Sequence, residues 1–266
     1  MADASPALSV VVPVHNELDN VANLISEIDA ALKPVCTFEM VFVNDASKDD
    51  TLLILKNLLT RYANLRVYSH SKQSGQSTAV RTGVMRARAD WVVTLDGDGQ
   101  NNPADIPKLI AERDKYRQAA CFAGWRKDRR DTWLKRVSSK VANAVRSRLL
   151  RDATPDSGCG IKLFPRQAFL ELPYFDHMHR FLPALFARAG LPTKSVVVSH
   201  RARVSGVSKY GLWNRLWVGI VDIVGVAWLQ RRAKLTPVSM ITLTGSTLLT
   251  GSALLTANKL DGSSAK

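Results

Sequence analysis

The sequence is poor in cysteine, poor in acidic residues relative to basic ones, and lacks the glycine loops of the common nucleotide folds. Its three cysteines stand at 36, 121 and 159. An odd, widely spaced set supplies neither a disulfide framework nor a zinc-site spacing, and it points to a reducing compartment. Met1 to Pro6 is polar, with no basic stretch leading into an apolar one, so no secretory signal is expected there. No GxGxxG follows the first apolar run and no GxxxxGK[ST] occurs anywhere. A dinucleotide dehydrogenase and a P-loop NTPase are therefore disfavoured. With 46% hydrophobic and 23% charged residues, whole-chain disorder and collagen are excluded as well.

Asp and Glu number 23 against 37 Lys and Arg, a net charge of +14. The excess is concentrated. Residues 126–151 hold ten Lys/Arg and two Asp, and residues 194–234 hold eight Lys/Arg and one Asp. The rest of the chain is close to neutral. Two basic regions suit a polyanion, phosphate-bearing ligands or an anionic membrane face. A nucleic-acid partner is not expected, because no RRM, KH or helix-turn-helix signature accompanies the charge.

Short apolar, β-branched runs alternate with helical periods along the first half. LSVVVPV at 8–14, FEMVFV at 38–43, a run at 65–69, WVVT at 91–94 and AACFA at 119–123 read as strands. Helices are expected over 17–32, about 50–62 and about 76–88. This order predicts an α/β fold with a mostly parallel sheet flanked by helices. Ligands of such sheets bind outside the carboxyl ends of the strands. Three polar clusters fall there: His15–Asn16–Glu17, Asn44–Asp45–Ala46–Ser47, and Asp96–Gly97–Asp98–Gly99–Gln100.

The acidic loop is the strongest of the three. Two carboxylates two residues apart, with glycines between and after them and the amide oxygen of Gln100 beyond, suit a hard cation such as Mg²⁺ or Mn²⁺. A calcium EF-hand would need Glu twelve positions into the loop, where this chain has Pro107. Asp45 suits a nucleobase or ribose contact equally with a cap for the following helix. His177 and His179 lack a third ligand at metal spacing, and packing or an acceptor-side contact is expected of them. Cys159 has no evident partner base, so it is not read as a nucleophile.

The motifs VVVPVHNE (10–17), FVNDASKDDT (42–51), TLDGDGQNNP (94–103), AGWR (123–126), LKRVSSKVAN (134–143), DSGCGIKLF (156–164) and SGVSKYG (205–211) together resemble the inverting family 2 glycosyltransferases of the GT-A fold. Within these the chain looks most like dolichol-phosphate-mannose synthases and bacterial polyprenyl-phosphate transferases. The resemblance runs over about residues 8–232 and implies transfer of a hexose from a nucleotide-diphosphate sugar to a polyprenyl phosphate, dolichyl or undecaprenyl, with inversion. It favours GDP-mannose as donor, with a UDP-sugar such as UDP-glucose as the alternative. A family 2 transferase with a non-lipid acceptor is a further one.

The resemblance also implies roles. Pro13, His15, Glu17 and Asp45 would line the nucleotide pocket, and Asp96 would meet the donor near its ribose and sugar. Asp98 and Gln100 would hold Mg²⁺ or Mn²⁺ on the diphosphate. Arg126, Lys135, Arg136 and Ser139 would receive the acceptor phosphate. Arg203 and Lys209 would close over the donor phosphates. Asp96, Asp98, Arg126 and Lys209 are the expected catalytic set.

Three regions are expected: a catalytic domain over 1–211, an amphipathic membrane-interface helix over 212–234, and a tail over 235–266, uncharged as far as 258, containing a weak candidate membrane segment. In the helix, Trp213, Trp217, Ile220, Val224 and Trp228 share one stripe, with Arg231, Arg232 and Lys234 at its end. A core helix packed on the sheet is the alternative. Residues 235–258 are uncharged but rich in Thr and Ser, which weakens the case for a span. The expected location is peripheral, on the cytoplasmic face of a membrane.

Overall fold

The computed structural model describes residues 5–118, 120–127, 146, 148–150, 152, 154–201, 212–233, 238–242 and 245–249. Strands β1 (Leu8–Val14), β2 (Phe38–Asn44), β3 (Leu65–Ser69) and β4 (Trp91–Thr94) alternate with helices α1 (Val21–Leu32), α2 (Thr51–Leu58) and α3 (Gln76–Arg86). Then follow α4 (Ile106–Lys115), β5 (Cys121–Trp125), β6 (Lys162–Pro165), α5 (Arg166–Leu170), α6 (Leu182–Arg188), β7 (Thr193–Val197) and α7 (Leu212–Arg232).

Seven strands form one sheet in the order β3-β2-β1-β4-β6-β5-β7. The first four run parallel, β6 is antiparallel to both its neighbours, and β7 is parallel to β5. Only one strand of the seven is reversed, so the predicted mostly parallel sheet is what the chain builds. Its central strands are buried on both faces, which is why β1 reads as a continuous apolar run rather than an alternation.

One core lies between the sheet and α1, α2 and α4, where Leu24, Ile25, Ile28, Leu55 and Leu109 meet Val10, Val12 and Phe42. The other lies on the opposite face, where Val80, Ala168, Phe186 and Val226 from α3, α5, α6 and α7 meet Val11, Val41 and Phe164. In α1 the buried residues Val21, Leu24, Ile25, Ile28 and Leu32 follow helical spacing, each contributing about 1.5–3 kcal/mol of burial. That helix begins four residues later than its periodicity suggests. Glu17 to Asn20 forms a turn instead, with the Asn20 and Val21 amides both donating to the Glu17 carbonyl (3.0 and 3.1 Å).

Within the tail, the described residues form a two-stranded antiparallel ladder, β8 (Val238–Thr242) with β9 (Gly245–Leu249). Among the described residues no helix is long and apolar enough to cross a membrane.

Candidate active site at the strand ends

The three polar clusters come together because β2, β1 and β4 are neighbours: β1 and β2 end side by side at Val14 and Asn44, and the chain leaving β4 at Thr94, opposite Val11, carries Gly97 up beside Pro13 and Val14. His15 Nδ1 lies 2.7 Å from the Asp45 carbonyl oxygen. Asn16 N donates to Ser47 Oγ (2.9 Å), Lys48 N donates to Asn16 Oδ1 (2.7 Å), and Glu17 N donates to Thr51 Oγ1 (2.9 Å). Asn16 and Ala46 take positive φ (55° and 53°), the turn geometry that lets the two tips interlock. The Glu17 carboxylate accepts from Asn20 Nδ2 at 2.7 Å. Pro13 stands one step below this rim, buried inside β1 opposite Val43.

Asp45 turns its carboxylate away from α2. Oδ1 accepts from Ser74 N (2.8 Å) and lies 2.7 Å from His70 Nδ1, while Oδ2 accepts from Gly75 N (2.8 Å). Of the two uses open to it in the sequence, the helix cap is not adopted. The carboxylate pins the loop that leads into α3, and the side chain is buried. The next residue along, Gln76, donates through Nε2 to Asp96 Oδ1 at 2.8 Å. The tip of β2 thus reaches the tip of β4 through one loop.

The acidic loop is held from inside. Asp96 N donates to Asn101 Oδ1 (3.0 Å), Gln100 N donates to Asp98 Oδ1 (3.1 Å), and Gly99 takes a φ of 72°. Burial, then the charge of Asp98, raises the Asp96 carboxyl above the usual carboxylate range, against opposing pulls from Lys162, Arg126 and Gln76. Opposite it, a Cβ on Gly160 would overlap the Asp96 carboxylate, so only glycine fits there.

Among the described residues no group of three or more His, Cys, Asp and Glu side chains is gathered for a metal ion. The donor set at the loop is two carboxylates and one amide oxygen, all hard, with like charges crowded together. It fits a divalent cation that takes its remaining oxygens from ligand phosphates and water.

Arg126, at the end of β5, forms a bidentate pair with Asp156: Nε to Oδ2 at 2.7 Å and Nη2 to Oδ1 at 2.9 Å. Burial acts to lower the Arg126 pKa, but the bonds to Asp156 dominate and hold it above its ordinary value. Arg201 N donates to the Gln100 carbonyl (3.3 Å), which holds Arg201 beside the acidic loop. Lys135, Arg136, Ser139, Arg203 and Lys209 lie outside the described residues.

Several residues at this site carry no role in the reading of the sequence. Lys162 from β6, Gln76, Thr94 and Gly160 line a pocket with Asp96 and with His179, of which packing or an acceptor-side contact is expected. The two histidines go separate ways. His179 Nδ1 is 2.7 Å from Ser77 Oγ, whereas His177 Nδ1 is 3.1 Å from Asp222 of α7. Burial, with Lys162, Arg180 and His177 nearby, pushes His179 down to about 3, so its imidazole is neutral. Cys159 is buried, and desolvation raises its thiol pKa, which disfavours the thiolate.

An open α/β sheet with an acidic loop and two further polar tips at its strand ends belongs to the class of folds that bind ligands there. A family model, "Glycosyl transferase family 2", matches residues 9–172. The chain belongs to that family. It is 34% identical over 230 residues to the dodecaprenyl-phosphate galacturonate synthase of Rhizobium johnstonii, covering 84% of this chain and 67% of that protein. It is 31% identical over 208 residues to the undecaprenyl-phosphate 4-deoxy-4-formamido-L-arabinose transferase of Edwardsiella ictaluri, covering 77% and 63%. The chain thus spans about two thirds of the length of these relatives. Its fold is that of the Mycobacterium tuberculosis glucosyl-3-phosphoglycerate synthase, solved with Mn²⁺, UDP and glucosyl-3-phosphoglycerate (TM-score 0.65, 18% identity, 93% of this chain and 88% of that one). The mannosyl-3-phosphoglycerate synthase of Rubrobacter xylanophilus is similar to the same degree (TM-score 0.65, 14% identity, 92% and 84%). The sheet and its flanking helices are therefore of the GT-A type.

Proposed function

We propose that the protein transfers a sugar from a nucleoside diphosphate to a polyprenyl monophosphate at a membrane surface, with inversion at the anomeric carbon. The observation that carries this reading is the interlocking of the His15, Asp45 and Asp96 tips at the ends of three adjacent strands. The activities by which the two relatives are named support a polyprenyl-phosphate acceptor. Their sugars, galacturonate and formamido-arabinose, lend no support to mannose. A UDP-sugar is accordingly the first donor to test and GDP-mannose the second.

In this reading His15 and Glu17 line the base and ribose side, and Asp45 shapes the same pocket by fixing the 70–75 loop. Asp96 faces the sugar. Asp98 and Gln100 would hold the divalent cation, which supplies electrostatic stabilisation of the departing diphosphate. Arg126, with Lys135, Arg136 and Ser139, aims the acceptor phosphate, and Arg203 and Lys209 close over the donor. A phosphate monoester, with a second pKa of about 6, is already largely dianionic at neutral pH. It attacks without a dedicated base, consistent with a site whose imidazole His179 is set to stay neutral. Two phosphate groups in one site repel, and the basic segments offset that repulsion.

The outer surface of α7 suits a membrane interface. Val221, Val224 and Trp228 are 60%, 62% and 57% exposed, while Val226 on the other side is buried. Arg231 and Arg232 flank the exposed stripe.

The experiment is an incubation with UDP- and GDP-sugars, Mn²⁺ and undecaprenyl phosphate, read by mass spectrometry of the lipid product. Sugar-phosphate-lipid forms, and excess EDTA or Asp98→Ala stops it. Transfer to soluble acceptors alone overturns the lipid assignment, and undiminished turnover in EDTA overturns the metal role.

A further inference from the structure

Arg201 stands just past the end of β7 and grips two parts of the molecule at once. Nη1 donates to Glu27 Oε2 of α1 (2.6 Å) and Nη2 to Asn102 Oδ1 (2.6 Å), while the backbone amide donates to the Gln100 carbonyl (3.3 Å). Two residues earlier, Ser199 gives its amide and its hydroxyl to Asp105 Oδ2 (2.8 and 2.7 Å) and accepts from Asn102 Nδ2 (3.1 Å). Val198 N still donates to the Trp125 carbonyl of β5 (3.0 Å). Residues 198–201 thus run from the end of β5, next to Arg126, across to residues 100–105.

The contacts of Arg201 bracket Asn101. That residue is 3% exposed, and its Oδ1 accepts from the Asp96 amide (3.0 Å). Gln100 and Asn102, on either side of it, are the residues that Arg201 holds. The loop before them has little stiffness of its own, because Gly97 and Gly99 carry no side chains to restrict the backbone. Asp96 and Asp98 bear like charges two residues apart, which spread unless the loop is held. Asn101 holds it from within. Arg201 holds it from outside, anchored to α1 by a charge-assisted bond.

We infer that Arg201 is a positioning residue for the acidic loop: by clamping Gln100 and Asn102 to α1, it sets how tightly Asp98 and Gln100 take a divalent cation. The inference rests on the metal role proposed above for those two residues. Its sign is diagnostic. As a bare charge, Arg201 would repel a neighbouring cation, and its removal would tighten cation binding. As a clamp, its removal loosens the ligands and weakens binding. Changing an outer partner of a metal ligand costs about ten- to a hundredfold in affinity. The Arg201 side chain is 38% exposed, so the lower end of that range is expected.

Calorimetry measures Mn²⁺ binding in the presence of UDP for wild type, Arg201→Met, Arg201→Lys and Glu27→Ala, with the melting temperature of each. Arg201→Met weakens Mn²⁺ binding about tenfold. Arg201→Lys keeps the charge but not the planar fork that spans Glu27 and Asn102, and it weakens binding too. Glu27→Ala weakens it about threefold, the scale of a part-exposed ion pair. The double variant is no weaker than Arg201→Met alone, because Glu27 acts through Arg201. UDP binding in EDTA stays close to that of wild type.

Unchanged or tighter Mn²⁺ binding by Arg201→Met overturns the inference and leaves the metal role standing. Losses that add in the double variant overturn it as well. So does an equal loss of UDP binding in EDTA, since the whole pocket would then be disturbed. A wild type that binds no Mn²⁺ with UDP present overturns the metal role itself, and the inference with it. If Arg201→Met does not fold, Arg201→Lys and Glu27→Ala carry the comparison.

Discussion

The two ends of the parallel strands treat buried charge in opposite ways. At the amino end of β2, Glu39 is fully buried among partners of its own fold. Ser9 Oγ donates to it at 2.6 Å, Arg88 through its backbone amide (2.6 Å) and Nε (3.0 Å), and Arg66 through Nη1 (2.9 Å). Burial pushes its carboxyl up, but these bonds outweigh it and hold the carboxyl below its ordinary value. At the carboxyl end, burial wins for three groups around one pocket, although Arg126 at the end of β5 is held by Asp156. Asp96 is raised, Lys162 is lowered and His179 is lowered, each by desolvation first. A charge that the fold satisfies is a structural clamp. Groups whose burial outweighs their partners cluster at the end of the sheet that carries the candidate site.

The sharpest way to break the comparison is at Gly160. Gly160→Ala places a methyl group where the Asp96 carboxylate lies. Displacing that carboxylate by about 1 Å costs on the order of a hundredfold in turnover. Circular dichroism should show the sheet intact. Near-normal activity would mean that the position of Asp96 is not critical. The matching change at the other end is Glu39→Ala. Its arginine partners are 30% and 44% exposed and can find water, so the loss is about 2 kcal/mol rather than that of a fully buried pair. Denaturant unfolding measures it. The variant keeps full turnover at low temperature, because Glu39 lies at the end of the sheet remote from the chemistry.

Acid separates the two ends further. A histidine whose folded pKa is depressed binds its proton in the unfolded chain first, so stability falls as pH drops below the unfolded value of 6.5 and continues to fall toward about 3. The charged or titratable groups facing His179 are Lys162, Arg180 and His177, with Asp96 in the same pocket. Glu39 behaves differently. Its lowered carboxyl contributes stability at neutral pH that is lost only as pH falls below about 4.5 and through its folded pKa. Between pH 6 and 5, wild type should therefore lose about 1 kcal/mol that His179→Asn does not lose, while Glu39→Gln should track wild type over the same interval. Parallel pH curves for wild type and His179→Asn would remove His179 as the source.

The same contrast explains what could be read in the sequence. The parallel half was legible because strands buried on both faces are short apolar runs, and because each run ends in residues with polar, turn-forming side chains. The Asp96–Gln100 loop announced itself by composition. β6 and β7 did not. LysLeuPhePro at 162–165 is short and opens on a lysine, and its antiparallel pairing with β4 is fixed by neighbours distant in sequence. Lys162 therefore reads as a surface residue until the sheet is assembled around it. Gln76 reaches the site from a helix start and His179 from a single 3-10 turn (Met178–Arg180), where no local period marks them. Asp45 shows the converse limit. Its place at a strand end was evident, but the choice between helix cap, ligand contact and loop anchor depended on His70, Ser74 and Gly75.

α7 extends the comparison to the outer surface, with one face satisfied by the fold and the other left open. Val226 is 1% exposed and packs with Ile223 and Ala227 on the second core. Gln230 Nε2 donates to the Leu150 carbonyl (2.7 Å) and Arg188 Nε to the Leu229 carbonyl (3.0 Å), which fixes which side faces inward. The helix is thus packed on the body and amphipathic outward at once, so the two readings of its sequence are not exclusive. The side chains of Trp213 and Trp217 lie outside the described residues, and Trp228 carries the test. Trp228→Ser removes exposed apolar area without opening a cavity. It should weaken co-sedimentation with anionic vesicles about fivefold and leave the melting temperature within a degree or two. Val226→Ser should do the opposite, lowering the melting temperature with vesicle binding unchanged below it. If Trp228→Ser leaves vesicle binding intact, the exposed stripe is not the membrane contact, and the basic segments alone would have to account for the binding.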